Sequence, residues 1–312
     1  MLTSSSTDRK VRQRPNPTET ETEVKRKRVK WSDDCFVEET RKKKQSHANT
    51  HALFTVGPIV NLILKFYTDE TSTSLALWLT NPDLQFLVNH ASVWKHRVLS
   101  LPCNRDTWPS FFDHAAVFFK RITIPSSTHF GTTDMKTYGP ILGLMSSICF
   151  TQCVDVVDVS ALGHVHTLNF FHCTGVGDVS ALGNVHALNL RGCTNVVDVS
   201  ALGNVHALNL RGCSGVVDVS ALGNVHTLDL SWCAGVVDVS ALGNVHTLNL
   251  GGCTGVVDVS ALGHVHTLNL GGCTGVVDVS ALGNVHTLNL RGCTNVVDVS
   301  ALGNVHTLCF DN

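Results

Sequence analysis

The chain has 312 residues and a formal net charge of −2, but its charge is unevenly placed: residues 1–50 carry 13 Lys and Arg against 8 Asp and Glu, whereas residues 151–312 carry 3 Arg, 11 Asp and neither Lys nor Glu. The acidic half argues against binding nucleic acid through its phosphates. With no run of 18 apolar residues, and a polar stretch at Met1–Arg14, neither a membrane partner nor a secretory leader is expected.

Residues 1–50 are rich in Ser, Thr, Lys, Arg and Glu. They cannot bury enough apolar surface to offset the entropy of ordering, so this segment reads as a disordered basic tail. Lys25, Arg26, Lys27, Arg28 and Lys30, followed by Arg41-Lys42-Lys43-Lys44, form two basic clusters that fit a nuclear-import signal. Twelve cysteines without an export signal point to reduced thiols in the cytoplasm, the nucleus or both.

Residues 51–105 read as a small helical domain. Pro58 opens a segment in which Ile59, Leu62, Ile63 and Phe66 recur at helical spacing. Asn81 is a natural N-cap, with Pro82 in the first helical position, Asp83 in the first turn and Leu84, Leu87 and Val88 as the apolar stripe. The helices end near Val93–Leu99. Residues 106–144 read as a helical cap and linker: Trp108, Phe111, Phe112, Phe118 and Phe119 would seal the next domain, and the Pro, Ser and Gly of 124–139 suggest the linker.

Residues 145–312 are governed by one period. Cys153, Cys173, Cys193, Cys213, Cys233, Cys253, Cys273 and Cys293 fall twenty residues apart, and a fixed period of this size marks a repeat architecture. A unit such as Val205-His206-Ala207-Leu208-Asn209-Leu210-Arg211-Gly212-Cys213 predicts a short strand that turns Leu208 and Leu210 inward and Ala207 and Asn209 outward. Nine such strands lie between Met145 and Val305. The second half of each unit has no room for a long helix, so Val219 and Leu222 would close the interior through a short helical turn or irregular backbone.

Three ladders follow from the period. The cysteines lack any C-x-x-C pairing and read as buried, packed thiols. Asp158 to Asp298 read as side chains accepting backbone N–H groups in turns, not as a calcium edge. His166 to His306 should stack about 5 Å apart and resist joint protonation. The pairs His164–His166 and His264–His266 have a spacing that can place two ligands on one face, but no third ligand accompanies them, and neither metal nor cofactor is expected.

The pattern V-x-x-L-x-L-x-x-C resembles the leucine-rich repeat, and the resemblance implies a right-handed α/β solenoid of 20-residue units with a parallel sheet on its concave face. The Asp-Val-Ser-Ala-Leu segment resembles the short bacterial-type repeats. The Pro-initiated segment 58–67, with a Trp-containing end some forty residues later, resembles an F-box, although Gly57 and Ile59 replace its usual Leu and acidic residue. A helical segment ahead of repeats is the layout of F-box/leucine-rich-repeat ubiquitin-ligase receptors. That resemblance implies docking of a Skp1-type adaptor through Pro58, Ile63 and Leu64.

Recognition is expected where the units differ. Phe171, His172, Arg191, Arg211, Asp229, Trp232 and Arg291 depart from the Gly and Asn of their columns and form an aromatic and Arg surface of the kind that anchors a protein target. The final strand would offer an uncapped edge to a second chain, allowing self-association. No nucleotide-binding, serine-hydrolase or metalloprotease motif is present. The expectation is a non-enzymatic interaction protein, either the substrate-recognition subunit of a Skp1–cullin–F-box ligase or a stand-alone leucine-rich-repeat scaffold.

Overall fold

Seven apolar side chains recur in each twenty-residue unit, too few to enclose a core alone. In the unit starting at Val205 they are Val205, Leu208, Leu210, Cys213, Val216, Val219 and Leu222, and each is essentially removed from solvent. That burial is achieved by stacking, so that each unit roofs its neighbour. The computed structural model describes residues 98–109, 111–112 and 120–311. Among them, eleven strands form one parallel sheet in strict chain order. The expected basic tail, the F-box-like helices with Pro58, Ile63 and Leu64, the import cluster Lys25, Arg26, Lys27, Arg28 and Lys30, and Phe118–Phe119 lie outside the described residues.

The strands are β1 (Leu99–Ser100), β2 (Arg121–Pro125), β3 (Ser147–Thr151), β4 (Thr167–Phe171), β5 (Ala187–Asn189), β6 (Ala207–Asn209), β7 (Thr227–Asp229), β8 (Thr247–Asn249), β9 (Thr267–Asn269), β10 (Thr287–Asn289) and β11 (Thr307–Cys309). From β3 onward every pairing advances by one repeat, with Leu208 opposite Leu188 on one side and Leu228 on the other. A one-residue slip would turn the leucines to solvent, so the alternation itself enforces the register. The fold is a leucine-rich-repeat solenoid.

The opposite wall consists of short 3-10 turns, such as Ser220–Asn224, which bury Val219 and Leu222 as the spacing predicts. Asp218 Oδ1 accepts the Ser220 N–H at 2.9 Å, and the same bond recurs at Asp158, Asp178, Asp198, Asp238, Asp258, Asp278 and Asp298. The Asp ladder therefore starts each turn by satisfying a donor that the tight helix leaves open. Neighbouring turns approach closely: a Cβ on Gly223 would stand 2.4 Å from the Ala241 carbonyl oxygen.

The start of the sheet departs from expectation. Leu99, placed by sequence at the end of a helix, opens β1, and segment 124–139 is not a linker. Arg121–Pro125 is a full strand, hydrogen-bonded into the sheet, and Thr132–Leu142 is an α-helix, α1. Ile122 and Ile124 occupy the places that Leu208 and Leu210 hold later. The register runs Leu99, Ile122, Ile148, Leu168, so these early coils are longer than the rest, with room for α1 instead of a 3-10 turn. Their added width is filled by rings. Trp108, Phe112, Phe130, Phe150 and Phe170 are buried, and Phe150 stacks on Phe170 with centroids 5.0 Å apart. Trp108 Nε1 donates to the Pro102 carbonyl at 2.8 Å, and Asp134 binds both the Arg105 side chain and the Gly131 N–H at the start of α1.

Because Ile122 and Leu208 lie in the same continuous core, Ile122→Ala and Leu208→Ala should each lower unfolding stability by about 2–5 kcal/mol, measured by urea denaturation. A loss below about 0.5 kcal/mol for Ile122→Ala would return segment 121–125 to the status of a linker.

Candidate functional site

The cysteine ladder is interior. Cys213 Sγ donates to the Leu190 carbonyl at 3.1 Å, and Cys233, Cys253 and Cys273 repeat that contact one coil at a time. Burial pushes the Cys213 and Cys273 thiols up to about 12, so neither is a ready nucleophile. A small side chain with a weak donor fits this place better than an apolar one, since it serves a carbonyl at the strand end. Among the described residues no group of three or more His, Cys, Asp or Glu is arranged to hold a metal ion, nor is any helix long and apolar enough to cross a membrane.

The histidine ladder lies at the entry edge of the strands. His166, His186, His206, His226, His246, His266, His286 and His306 stack with successive centroids 4.6–4.7 Å apart, close to the spacing expected from the strands. His286 is held below the ordinary imidazole value, first by desolvation and then by His266 and His306 on either side. The rings are largely solvent-exposed, so this is an electrostatic constraint at the surface.

At the other end of the strands the units stop being alike. The chain turns there through a left-handed residue, glycine in most coils but Gln152, His172 and Trp232 in three. Trp232 has φ +62° and is 64% exposed. An L-residue in this region costs on the order of 1 kcal/mol that glycine avoids. Its indole lies over Gly252, where an added Cβ would stand 3.0 Å from the ring. Glycine at 252 thus provides both the positive φ and the open surface the ring needs. His172 lies over Gly192 in the same way.

Beside these rings runs the column of Phe171, Arg191, Arg211, Ser231, Gly251, Gly271 and Arg291. The Arg191 guanidinium sits 5.4 Å from the Phe171 ring centroid, and Phe171 meets His172 edge-on at 4.4 Å. Arg211 is on the next coil, and Asp229 and Trp232 on the one after it. Six of the seven departures therefore occupy four consecutive coils. Arg291 stands four coils beyond Arg211, across Gly251 and Gly271, and pairs with Asp311 at 3.5 Å. It is separate from the group.

Underneath lies an amide ladder. Asn269 Nδ2 donates to Asn249 Oδ1 at 2.9 Å, and Asn289 to Asn269 at 2.8 Å, while each Oδ1 also accepts the N–H two residues on. These bonds join Asn249, Asn269 and Asn289, and Asp229 stands in the same column one coil before them. Like the Asn residues, Asp229 accepts the N–H two residues on, from Ser231 at 2.9 Å, and it adds a bond from the Ser231 hydroxyl at 2.6 Å.

Sequence reasoning missed an apolar stripe. Val197, Val217, Val237, Val257, Val277 and Val297 stand exposed, one per coil, beside the Asp ladder. The signal was available in Val-Val-Asp-Val, where Val216 and Val219 enter the core and leave Val217 outside.

No protein-family model and no curated protein matches the sequence. Among solved structures the chain is similar to internalin C2 of Listeria monocytogenes str. 4b F2365, at 19% identity over 55% of this chain and 84% of that one, with TM-score 0.43. It is also similar to the functional domain of InlJ from Listeria monocytogenes, described as including a cysteine ladder, at 16% identity over 53% of each chain, with TM-score 0.31. The yeast Rad7 and Elc1 complex matches at 11% identity over 84% of this chain and 98% of that one, with TM-score 0.34.

The unfolded chain takes up protons near pH 6.5, whereas folded His286 resists them, so stability should fall as pH drops from about 7 toward 5. Thermal unfolding of His286→Gln should match wild type at pH 8 and fall less steeply below pH 6.5. Parallel pH profiles would show that the stack carries no such linkage.

Proposed function

We propose that this chain is a non-enzymatic recognition protein whose strand-end rim, from Phe171 to Trp232, holds a protein target. The observation behind this reading is the placement of the departures. Columns that face the interior scarcely vary along the solenoid, whereas rings, guanidinium groups and a lone carboxylate gather on four coils of one edge. Aromatic and Arg side chains are the residue types that anchor interfaces. A strained, exposed Trp232 adds nothing to the core that Gly does not provide in neighbouring coils, which supports a role outside the fold.

In the finer form of the proposal, residues 51–105 form an F-box-like domain that docks a Skp1-type adaptor through Pro58, Ile63 and Leu64, and residues 145–312 bring the target to the ligase. The chain then acts by proximity, without chemistry of its own. What supports it is the order of the segments, with an F-box resemblance ahead of a repeat array. A stand-alone repeat scaffold is favoured instead by Gly57 and Ile59, which depart from the F-box pattern, and by β1, which gives the end of that segment to the solenoid sheet.

Two measurements test the two levels. Trp232→Ala with Arg211→Ala should weaken target binding by at least about tenfold while leaving the melting curve within about 0.5 kcal/mol of wild type. Collapse of the melting curve would make these residues structural. Full-length protein should bind a purified Skp1-type adaptor, and Ile63→Glu with Leu64→Glu should abolish that binding. No binding at roughly ten micromolar would remove the ligase reading and leave the scaffold.

A further inference from the structure

Each coil leaves two neighbouring side chains outside where the chain passes into its 3-10 turn. In Val216-Val217-Asp218-Val219 the first and last valines enter the core, while Val217 and Asp218 stand in solvent. The register repeats this pair along the stack. Val197, Val217, Val237, Val257, Val277 and Val297 form one column, each more than half exposed, and Asp198 to Asp298 form the next. At about 4.8 Å per coil the two columns run side by side for roughly 24 Å, and Gly177 interrupts the valines at the early coils.

The fold does not account for either column in full. Val217 Cγ2 would stand 3.0 Å from a Cβ added at Gly235, and Val197, Val237 and Val257 lean on Gly215, Gly255 and Gly275 in the same way. One methyl of each valine thus rests on the next coil, yet most of the side chain remains in water, where threonine of the same shape would serve. Each Asp starts its turn through Oδ1, a task that asparagine performs equally well. Bonds from the serine two residues on hold these carboxyls below the ordinary range, so the column is ionised at neutral pH. No cation stands in it, because the Lys and Arg of residues 151–312 are Arg191, Arg211 and Arg291, all in the strand-end column.

We propose that this edge docks a cationic amphipathic α-helix of another protein, with the helix's apolar stripe on the valines and its Lys and Arg on the aspartates. Charge decides the occupant. A second copy meeting the edge face to face would bring two Asp ladders together, and an anionic membrane would be repelled. An apolar column edged by carboxylates is complementary to a helix whose apolar stripe is edged by cations. Length and period agree with a helix. About 16 residues span 24 Å, and turns of 5.4 Å drift by roughly half a coil in four turns. An extended segment, whose side chains on one face recur about every 6.7 Å, would slip nearly that far at every step. None of these residues belongs to the strand-end rim, so the inference stands apart from the role proposed there.

The probe is a fluorescein-labelled peptide of three consecutive Leu-Ala-Lys-Leu-Ala-Lys-Lys units, compared on the full chain with a scrambled peptide of equal composition and no apolar stripe. The amphipathic peptide should bind at least about tenfold more tightly than the scrambled one and gain helical circular dichroism on binding. Val217→Thr, Val237→Thr and Val257→Thr together keep the branched shape and should remove most of that preference. Asp218→Asn, Asp238→Asn and Asp258→Asn together keep the acceptor that starts each turn and should weaken both peptides at least about threefold. Both variants should melt as wild type does. Trp232→Ala should bind the peptide unchanged, which separates a failure here from a failure of the rim. Equal binding of the two peptides would reduce the edge to general attraction between opposite charges and overturn the inference, as would binding that the valine variant leaves intact. A dimer of the chain that the valine variant returns to monomer would assign the edge to a second copy. Binding to phosphatidylcholine vesicles that is lost in the same variant would assign it to lipid, and either result would overturn the helix. No peptide binding at roughly 1 mM would do the same.

Discussion

The structure depends on one constraint, that no coil can bury its own apolar face. Val205, Leu208, Leu210, Cys213, Val216, Val219 and Leu222 are dry only because their counterparts lie directly above and below. The parallel register that stacks Leu on Leu also stacks every other column, so a requirement on interior packing becomes a requirement on the whole sequence. Burying each Leu or Val contributes about 1.5–3 kcal/mol, which makes slippage costly at every coil. The narrow repeat follows: Cys where a small buried side chain can also donate to a carbonyl of the preceding coil, and Gly223 where the next turn passes too close for a side chain.

Surface columns inherit the same periodicity without the same need. The Asp ladder has a local task in starting turns. Its carboxyl groups are held below the ordinary range chiefly by bonds from the serine two residues on, and that contribution is present near neutral pH and lost as acid protonates them. The histidine stack is different, a column brought close by the register, within which His286 is held below the ordinary imidazole value by desolvation and by its two neighbours. At the strand-end rim aromatic and Arg side chains replace the glycines of other coils, and there an L-residue is kept in a backbone conformation that suits glycine. Structural demand and chemical variety are thus separated along each coil, and that separation supports assigning recognition to the rim.

The twenty-residue coils were legible because each residue type has one place to go. Alternation in Ala207-Leu208-Asn209-Leu210 gave strand direction, the Asp-Val-Ser segment gave the turn, and the unpaired cysteines gave buried thiols. The early coils were not legible, for physical reasons. Ile122 and Ile124 keep the alternation, but their distance to Ile148 does not match the repeat, and the Pro125, Ser126 and Ser127 that end β2 have the composition of a linker. The large rings of Trp108, Phe112, Phe130 and Phe150 do the packing that leucines do later, so the pattern changes where the core widens. At the site, sequence identified the odd residues but could not show that Arg291 stands apart with Asp311, that Trp232 lies over Gly252, or that a second valine in each unit is left outside.

The most direct test of the separation between fold and rim is thermal and urea unfolding of Trp232→Gly, which gives this coil the residue that its neighbours carry. Glycine relieves the positive-φ strain and gives up only an exposed ring, so the account predicts stability that is unchanged or raised by up to about 1 kcal/mol. A loss greater than about 2 kcal/mol would mean that Trp232 is part of what holds the coils together, and the claim that the rim's departures are free of structural duty would be wrong.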